Sequence, residues 1–218
     1  MFQFHQDFRL IIVEIRITVE VVWLQSKRPM IDFNDSHLHW TATVICLCPL
    51  IWNLLGRLCF FGIPKQTPMY QRHIMCYLLM LWIFSFSSYR DYLIRETISK
   101  QQQLVLDEFY VNVSVSLAMI LFVVGQLFVL SSFYKLGITG TFLGDYCGIL
   151  METPVQTFPF NFLDNPMYLG STLSFLALAF YYRSPIGFLL TFEIYLVYQI
   201  ALRFEEPFTK SIYEQKNK

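Results

Sequence analysis

The sequence predicts an all-α fold, namely a polytopic membrane helical bundle with about four to five membrane helices. Composition and segment length both indicate this class. Of the 218 residues, 55% are apolar, 18% are aromatic and only 15% are charged, whereas globular domains carry about 25% charged residues. The mean hydropathy is +0.45. Five apolar segments follow one another after residue 36, and one of them has no charge over a length that crosses a bilayer.

The N-terminal region differs from the rest of the chain. Residues 11–22 partly alternate apolar and charged side chains, which is typical of a strand or of a loosely amphipathic helix. The run Lys27-Arg28-Pro29 interrupts that pattern. We therefore predict a poorly ordered N-terminal extension over residues 1–36 and a membrane-embedded domain over residues 37–218.

The first apolar segment covers residues 39–61 and contains Pro49, with Arg57 near its end. A proline inside a helix removes one backbone hydrogen bond and clashes with the preceding turn. The segment is therefore predicted to be either a kinked helix or a re-entrant one. Gly62 and Pro64 mark its end.

A polar region separates the second and third apolar segments. Residues 74–89 form a short apolar segment, and residues 90–108 are rich in charge and glutamine. We predict that residues 90–108 form a loop outside the membrane, with helical turns near its ends. Residues 109–134 carry no charge at all, which makes this third segment the clearest membrane helix of the chain.

The fourth and fifth segments close the bundle. Residues 166–182 open with Pro166, which suits a first helical position, after Asp164 and Asn165 as capping candidates. Residues 183–187 contain a proline and a glycine and are predicted to end that helix. The fifth segment, residues 186–204, leads into Glu205-Glu206-Pro207 and a short polar tail.

A glycine-rich segment separates the third and fourth apolar segments. Its glycines recur every three or four residues, which places them on one helix face or marks a loop or a packing face. Glycines in this pattern also allow a ligand to approach the backbone closely. The acids Asp145 and Asp164 lie nearby among aromatic residues. Because the segment has many glycines, prolines and polar residues, we predict that it lies at the membrane surface. The glycines are Gly137, Gly140, Gly144 and Gly148.

Two adjacent carboxylates and one tyrosine are candidates for ligand binding. Glu205 and Glu206 follow the fifth apolar segment, where a helix C-terminus is predicted. The C-terminal end of a helix carries partial negative charge, so two carboxylates there are unfavourable by themselves. The pair therefore indicates either a bound cation or a solvated helix end. Tyr168 is predicted at the membrane interface, as a belt residue or as part of a site.

Several other classes of function are not indicated. The formal net charge is zero, which does not favour nucleic-acid binding. Five cysteines are scattered without paired spacing, which indicates neither a disulfide framework nor a zinc site. His37 and His39 have no further ligand residues nearby, so we predict no metal. Glu193 in the fifth segment is functional, paired with Arg183 or Arg203, or located near a membrane interface.

The last two fifths of the chain resemble the phosphatidylethanolamine N-methyltransferases. Residues 131–215 are similar to that family throughout, residues 42–94 are similar more loosely, and residues 1–36 do not match. The similar motifs occur in the same order as in the family. They are Ser131-Ser-Phe, the run from Gly137 to Gly148, Phe158-Pro-Phe-Asn, Leu163-Asp-Asn-Pro-Met-Tyr, Gly170-Ser-Thr, Glu205-Glu-Pro-Phe-Thr209 and, more loosely, Pro49-Leu-Ile-Trp-Asn53.

The resemblance implies an integral membrane enzyme with a phospholipid substrate in the bilayer. Such enzymes transfer methyl groups from S-adenosylmethionine to phosphatidylethanolamine and its mono- and dimethyl intermediates, giving phosphatidylcholine. The implied location is the endoplasmic reticulum membrane, with a mitochondrial membrane as the alternative. Two other functions stay open: an isoprenylcysteine-type carboxyl methyltransferase, which would favour Arg-His where Asp164-Asn165 stand, and a degenerate non-catalytic homologue.

The resemblance also implies which residues bind the cofactor. A Gly-x-Gly element of the family matches Val123-Val124-Gly125, with valine in place of the first glycine. The family's acidic pair matches Glu205 and Glu206 unchanged, and Tyr168 is expected beside the cofactor.

Catalysis of the implied reaction requires removal of a proton from the substrate ammonium, because only the neutral amine is a nucleophile. Carboxylates are the side chains suited to accept that proton. The candidates are Asp145, Asp164 and Glu206.

Overall fold

A computed structural model describes residues 29–64, 66–153 and 155–216. They form five α-helices and one short 3-10 helix, with no strand in the described ranges, so the all-α prediction is confirmed. Most of the predicted N-terminal extension, including residues 11–22, lies outside the described residues, and the boundary at residue 36 stays a prediction. The helices are α1 (Ser36–Gly62), α2 (Met69–Lys100), α3 (Glu108–Thr141), the 3-10 helix (Asp145–Cys147), α4 (Pro166–Tyr182) and α5 (Pro185–Lys216).

Three helices, α1, α3 and α5, are each long and apolar enough to cross a membrane. Helix α1 begins after Asp35, whose carboxylate accepts a hydrogen bond from the backbone N–H of His37, and it continues without a break through Pro49. Helix α4 has 17 residues, fewer than the approximately 20 that span a bilayer. A membrane bundle is therefore confirmed, and the number of four to five spans stays a prediction.

The core lies between α1, α2 and α5. Apolar residues recur every seven positions on α1 and every four on α5, so each helix turns one continuous apolar face inward. Tyr198 and Trp52 extend this core toward the end of the bundle that carries the acidic pair. The core residues include Leu38, Ile45 and Trp52 on α1, Ile94 and Ile98 on α2, and Ile186, Leu190, Ile194 and Tyr198 on α5.

Helix α3 packs mainly on α4 through a line of small residues. Ala118, Gly125 and Ser132 are buried, seven positions apart, while most large apolar side chains of α3 are exposed. A Cβ built on Gly125 would lie 2.6 Å from the carbonyl oxygen of Gly170, and one built on Gly170 would lie 2.5 Å from that of Gly125. Small residues at such a crossing let two membrane helices approach closely. The exposed apolar side chains are then available to lipid.

Two polar regions predicted to lie outside the helices are helical. Helix α2 continues to Lys100, so the loop predicted over residues 90–108 is reduced to the residues between α2 and α3. Leu93, Ile94 and Ile98 are buried on one face of this extension, while polar side chains occupy the other. Amphipathic packing, rather than overall polarity, therefore sets the end of α2.

Helix α5 likewise continues through Pro207 to Lys216, so the polar tail is helical and the acidic pair does not end the helix. Phe208 packs against Phe60 and Tyr146, with ring centroids 5.2 and 5.0 Å away, and Ile212 is buried. These contacts stabilise the helix beyond the proline.

The glycines of the glycine-rich segment do not share one helix face: Gly137 and Gly140 lie in the last turns of α3, and Gly144 and Gly148 flank the 3-10 helix. Gly137 has φ +64° and interrupts the helical geometry at the end of α3, and Gly148 has φ +78° after the 3-10 helix. Left-handed backbone of this kind favours glycine. The segment lies at the same end of the bundle as the start of α4, and it places Tyr146 against Gly56 of α1.

Candidate active site

Glu205 is bound by three side chains from two other helices. The indole N–H of Trp52 donates to Oε1 over 2.8 Å, and the amide of Asn53 donates to the same oxygen over 3.1 Å. The hydroxyl of Tyr168 donates to Oε2 over 2.6 Å. Hydrogen bonds to a carboxylate are shorter and stronger than neutral ones. The three donors therefore hold Glu205 of α5 in one orientation between α1 and α4.

Aromatic rings surround this carboxylate. The ring of Tyr168 lies 4.9 Å from that of Tyr198 in an edge-to-face contact, and the ring of Trp52 lies 6.5 Å from Tyr168 and 6.4 Å from Tyr198. Edge-to-face and tilted pairs at these separations are favourable. Glu205 therefore sits at the edge of the hydrophobic core, with its two oxygens directed at fixed polar groups.

Glu206 is the more accessible carboxylate of the pair. It is exposed, and its Oε1 accepts a hydrogen bond of 2.8 Å from the side-chain amide of Asn165. Glu206 also lines a cavity of about 190 Å³ between α4 and α5. Tyrosine rings form much of the wall. Lining residues include Asn165, Tyr168, Tyr195, Tyr198, Arg203 and Glu206.

In the described ranges, no basic side chain forms an ion pair with either carboxylate of the acidic pair. Within the described part of the chain, the ion pairs involve Glu96 and Asp91, and neither Glu205 nor Glu206 has one. Glu205 is stabilised by uncharged donors only. Of the pair, Glu206 lines the tyrosine-walled cavity, and its carboxylate and the aromatic rings favour positive charge there, while Arg203 lies on the same wall.

Comparisons with known proteins agree with this chemistry. Residues 113–216 match the phospholipid methyltransferase family profile. The chain is 40% identical to phosphatidyl-N-methylethanolamine N-methyltransferase of Saccharomyces cerevisiae, over 86% of this chain and 90% of the yeast protein. It is 40% identical to human phosphatidylethanolamine N-methyltransferase, over 85% of this chain and 92% of the human protein. The chain belongs to the phospholipid methyltransferase family. A Dictyostelium discoideum relative named phosphatidylethanolamine N-methyltransferase A is 41% identical over 84% of this chain and 85% of its own length. No solved structure is significantly similar.

In this family member, the Val123-Val124-Gly125 element lies on α3, away from the acidic pair. The side chains of Val123 and Val124 are 60% and 36% exposed, while Gly125 is buried against Gly170. Gly170 follows Tyr168 by two residues on α4, so α4 connects the element to the carboxylates. The role of the three residues in cofactor binding stays a prediction.

Of the three predicted catalytic acids, Glu206 lines the cavity described above. Asp145 lies in the 3-10 helix, half-buried, and its Oδ1 accepts a 3.1 Å hydrogen bond from the backbone N–H of Tyr146. Asp164 is exposed in the turn before α4. The catalytic roles of Asp145, Asp164 and Glu206 all stay predictions.

The structure adds residues that were given no role from the sequence. Trp52 and Asn53 bind Glu205, and the motif around them was the best-matching piece of the loosely similar region, so a signal was present. Asn165 makes no side-chain capping hydrogen bond, and its amide binds Glu206 instead. Tyr198, in the middle of an apolar segment, had no distinguishing signal.

Other polar candidates have partners elsewhere. The thiol of Cys46 donates to Glu193 over 3.4 Å, so neither predicted arginine partner is used. His37 contacts Thr97 and Glu96 at 2.9 and 3.1 Å. Among the described residues, no three His, Cys, Asp or Glu side chains are arranged so that they could hold a metal ion.

Proposed function

We propose that this chain methylates the amine of phosphatidylethanolamine and of its mono- and dimethyl derivatives, giving phosphatidylcholine, at the site around Glu205 and Glu206. The observation that carries the proposal is the acidic pair, which has no ion pair among the described residues and whose Glu206 lines a tyrosine-walled cavity. The methyl donor of this reaction is a sulfonium cation, and each methylated product is an ammonium cation. The names of the relatives support the same substrate class.

The methyl donor we propose is S-adenosylmethionine, and the residues present fit it in part. Glu206 and the rings of Tyr168, Tyr195 and Tyr198 suit a sulfonium cation. The cavity of about 190 Å³ is smaller than the roughly 300 Å³ at which ligand pockets begin, so it accommodates one part of the donor. When bound, the donor supplies an electrophilic methyl group on sulfur.

The two glutamates have different roles in this proposal. Glu205 is immobilised by Trp52, Asn53 and Tyr168, so it supplies a fixed negative charge and orients the tyrosine. Glu206 has one oxygen bound to Asn165, and its Oε2 has no hydrogen-bond partner within the described part of the chain. That oxygen accepts the proton that leaves the substrate ammonium, directly or through water, and the amine nitrogen then has a lone pair for the methyl group.

Positioning supplies much of the acceleration in such a displacement. The nitrogen, the methyl carbon and the leaving sulfur must lie in line, and holding them so removes much of the entropic barrier. Here the anchors come from α1, α4 and α5 at one end of the bundle. Each methylated product carries a positive charge at neutral pH, and the ring faces of Tyr168 and Tyr198 stabilise it.

We further propose the endoplasmic reticulum membrane as the location, with a mitochondrial membrane as the alternative. The three apolar helices support insertion into a membrane, and the choice of organelle follows from the family resemblance. Fractionation of cells that express the tagged chain tests it. Recovery with plasma membrane markers would contradict both locations.

The activity is tested with membranes that express the chain and with methyl-labelled S-adenosylmethionine. Phosphatidylethanolamine and its mono- and dimethyl derivatives are supplied separately, and label is measured in each phospholipid product. We expect label in all three methylated products above the level of membranes without the chain. Label in an isoprenylcysteine ester instead would indicate the carboxyl methyltransferase, and no label in any acceptor would indicate a non-catalytic homologue.

A further inference from the structure

A second, larger cavity opens on another side of the bundle. It lies between α2, α3 and α4 and has a volume of about 480 Å³, within the range of pockets that bind small ligands. Its polar residues include Arg90, Asp91 and Arg95 on α2, Gln126 on α3 and Ser174 on α4. None of them belongs to the site around Glu205.

Arg90 is a buried cation in this wall. It is 6% exposed, and its Nε and Nη2 donate to Oδ1 of Asp91 over 3.0 and 2.8 Å. Its Nη1 donates to the hydroxyl of Tyr198 over 3.0 Å. Nη1 also donates to Sγ of Cys48 over 3.9 Å, so these contacts use four of the five N–H donors of the guanidinium. A charged side chain inside a membrane bundle is costly and by default functional.

Arg95 adds a second cation to the same cavity. It is exposed, and within the described part of the chain it makes no ion pair or side-chain hydrogen bond. Two arginines face one aspartate here, so positive charge is in excess. Guanidinium groups bind phosphate through paired N–H donors, which makes an excess of arginine the usual basis of a phosphate site.

The rest of the wall is apolar. Met119, Phe122 and Val129 of α3 and Phe175 and Leu178 of α4 line it. An acyl chain packs favourably against such an apolar surface, whereas a free phosphate or a soluble nucleotide does not. A cavity with cations at one place and aromatic and aliphatic side chains beside them is complementary to a molecule with an anionic head and hydrocarbon tails.

The two cavities meet at one hydrogen bond. Arg90 lines the larger cavity and Tyr198 lines the smaller one that contains Glu206, and these two side chains are bonded to each other. In an ethanolamine phospholipid, two carbons and one oxygen separate the phosphorus from the nitrogen. A phosphate beside Arg90 would therefore leave the amine on the Tyr198 side, toward the acidic pair.

From these observations we infer that the cavity between α2, α3 and α4 holds the phospholipid substrate, with Arg90 and Arg95 binding its phosphate and α3 and α4 contacting an acyl chain. This inference rests on the proposed function for the identity of the lipid. It assigns specificity for a phosphate-bearing lipid to residues outside the acidic site.

The test is photolabelling of the purified full chain in detergent micelles, without methyl donor. One probe is phosphatidylethanolamine with a diazirine on one acyl chain, and the matched probe is diacylglycerol with the same acyl chain. We expect the phospholipid probe to label α3 and α4 peptides that line the cavity. Arg95→Gln should lower this labelling about tenfold at a subsaturating probe concentration, because a charge-assisted contact is lost. Labelling by the diacylglycerol probe should not change.

Matched variants separate the cavity from general effects. Lys135→Gln removes an exposed charge from α3 outside the cavity and should change neither probe. Ser171→Phe fills the cavity and should lower labelling by both probes, whereas Ser116→Phe, on the exposed surface of α3, should not. Arg95 and Ser171 are not core residues, so these variants are expected to fold. Arg95→Lys, which keeps the charge, should recover part of the labelling.

The inference is overturned if Arg95→Gln labels like the unmodified chain, or if Ser171→Phe leaves labelling unchanged. Labelling requires no catalysis, so the outcome is independent of the proposed function. If the chain is labelled as expected but transfers no methyl group, the inferred lipid site is supported and the proposed function is contradicted. If the chain methylates phospholipid but Arg95→Gln does not change labelling, the proposed function is supported and the inferred lipid site is contradicted.

Discussion

Tyr168 of α4 donates a hydrogen bond of 2.6 Å to Glu205 of α5. This contact connects the acidic pair to the cavity that Arg90 lines. Tyr168 also packs edge-to-face on Tyr198, and the hydroxyl of Tyr198 accepts a hydrogen bond from Arg90. A continuous set of contacts therefore runs from the acidic pair to the cavity between α2, α3 and α4. The predictions below start from this contact.

Tyr168→Phe removes the hydroxyl and keeps the ring. A hydrogen bond to a carboxylate contributes about 1.5–3 kcal/mol, so we expect methyl transfer to fall by roughly tenfold or more. The measurement is the initial rate of methylation with each lipid acceptor. Tyr134→Phe serves as the control, because Tyr134 is 83% exposed on α3 and lines neither of the two cavities described above. A full rate in Tyr168→Phe would show that the orientation of Glu205 does not matter.

Glu206→Gln removes the accessible charge of the pair. We expect binding of S-adenosylmethionine to weaken by about tenfold or more while membrane insertion is unchanged, because an uncompensated carboxylate no longer faces the cation. Titration calorimetry on the purified chain measures the affinity. The control is Glu214→Gln, which changes an exposed glutamate of the same helix. If Glu206→Gln binds the donor as tightly as Glu214→Gln does, Glu206 is not part of the donor site.

Gly125→Leu is expected to abolish activity while the protein still inserts. Any Cβ at Gly125 would lie 2.6 Å from a carbonyl oxygen of α4, so α3 and α4 must separate and displace Tyr168. Gly125→Ala should already lower the rate, and Val123→Ala, which places an alanine on the exposed side of α3, should not. Activity and insertion are measured on the same membranes. Normal activity in Gly125→Leu would contradict the close crossing.

Val123→Gly restores the Gly-x-Gly pattern. Since Val123 is 60% exposed, its removal breaks no core packing, and the helix loses at most about 1 kcal/mol of intrinsic stability. We expect activity equal to that of the unmodified chain or higher, measured as the rate at saturating lipid. A large loss would mean that Val123 contributes to packing in the membrane.

Asp145→Asn tests the remaining half-buried acid. We expect methylation of phosphatidylethanolamine itself to fall more than methylation of its mono- and dimethyl derivatives. The reason is that deprotonation of its ammonium group depends most on an acidic side chain beside it. The rates with the three acceptors are compared in one membrane preparation, with Glu152→Gln as an exposed acidic control from the same loop. If Asp145→Asn and the unmodified chain methylate each of the three acceptors at the same rate, Asp145 is not part of the site.

Much of the fold followed from the sequence by itself. The absence of charge over residues 109–134 predicts α3, and Pro166 with the break at residues 183–187 predicts α4 at the bounds that it has in the structure. These signals are local: hydrocarbon excludes charge, and proline and glycine constrain the backbone in place. The acidic pair and Tyr168 were likewise identified from the sequence.

Helix ends in polar regions required the tertiary structure. Charge along residues 90–100 and Pro207 both suggested a break, yet α2 and α5 continue because one face of each extension is buried. Composition averages over both faces of a helix, so it does not reveal that one face packs.

The partners of the site residues were also decided only by tertiary structure. Trp52 and Glu205 are 153 positions apart, and Arg90 and Tyr198 are 108 apart. Periodicity shows which face of a helix is apolar, but the helix that lies opposite depends on how all five pack together. The sequence by itself therefore determined a membrane bundle with an acidic pair, whereas packing decided what each carboxylate contacts and which cavity Glu206 lines.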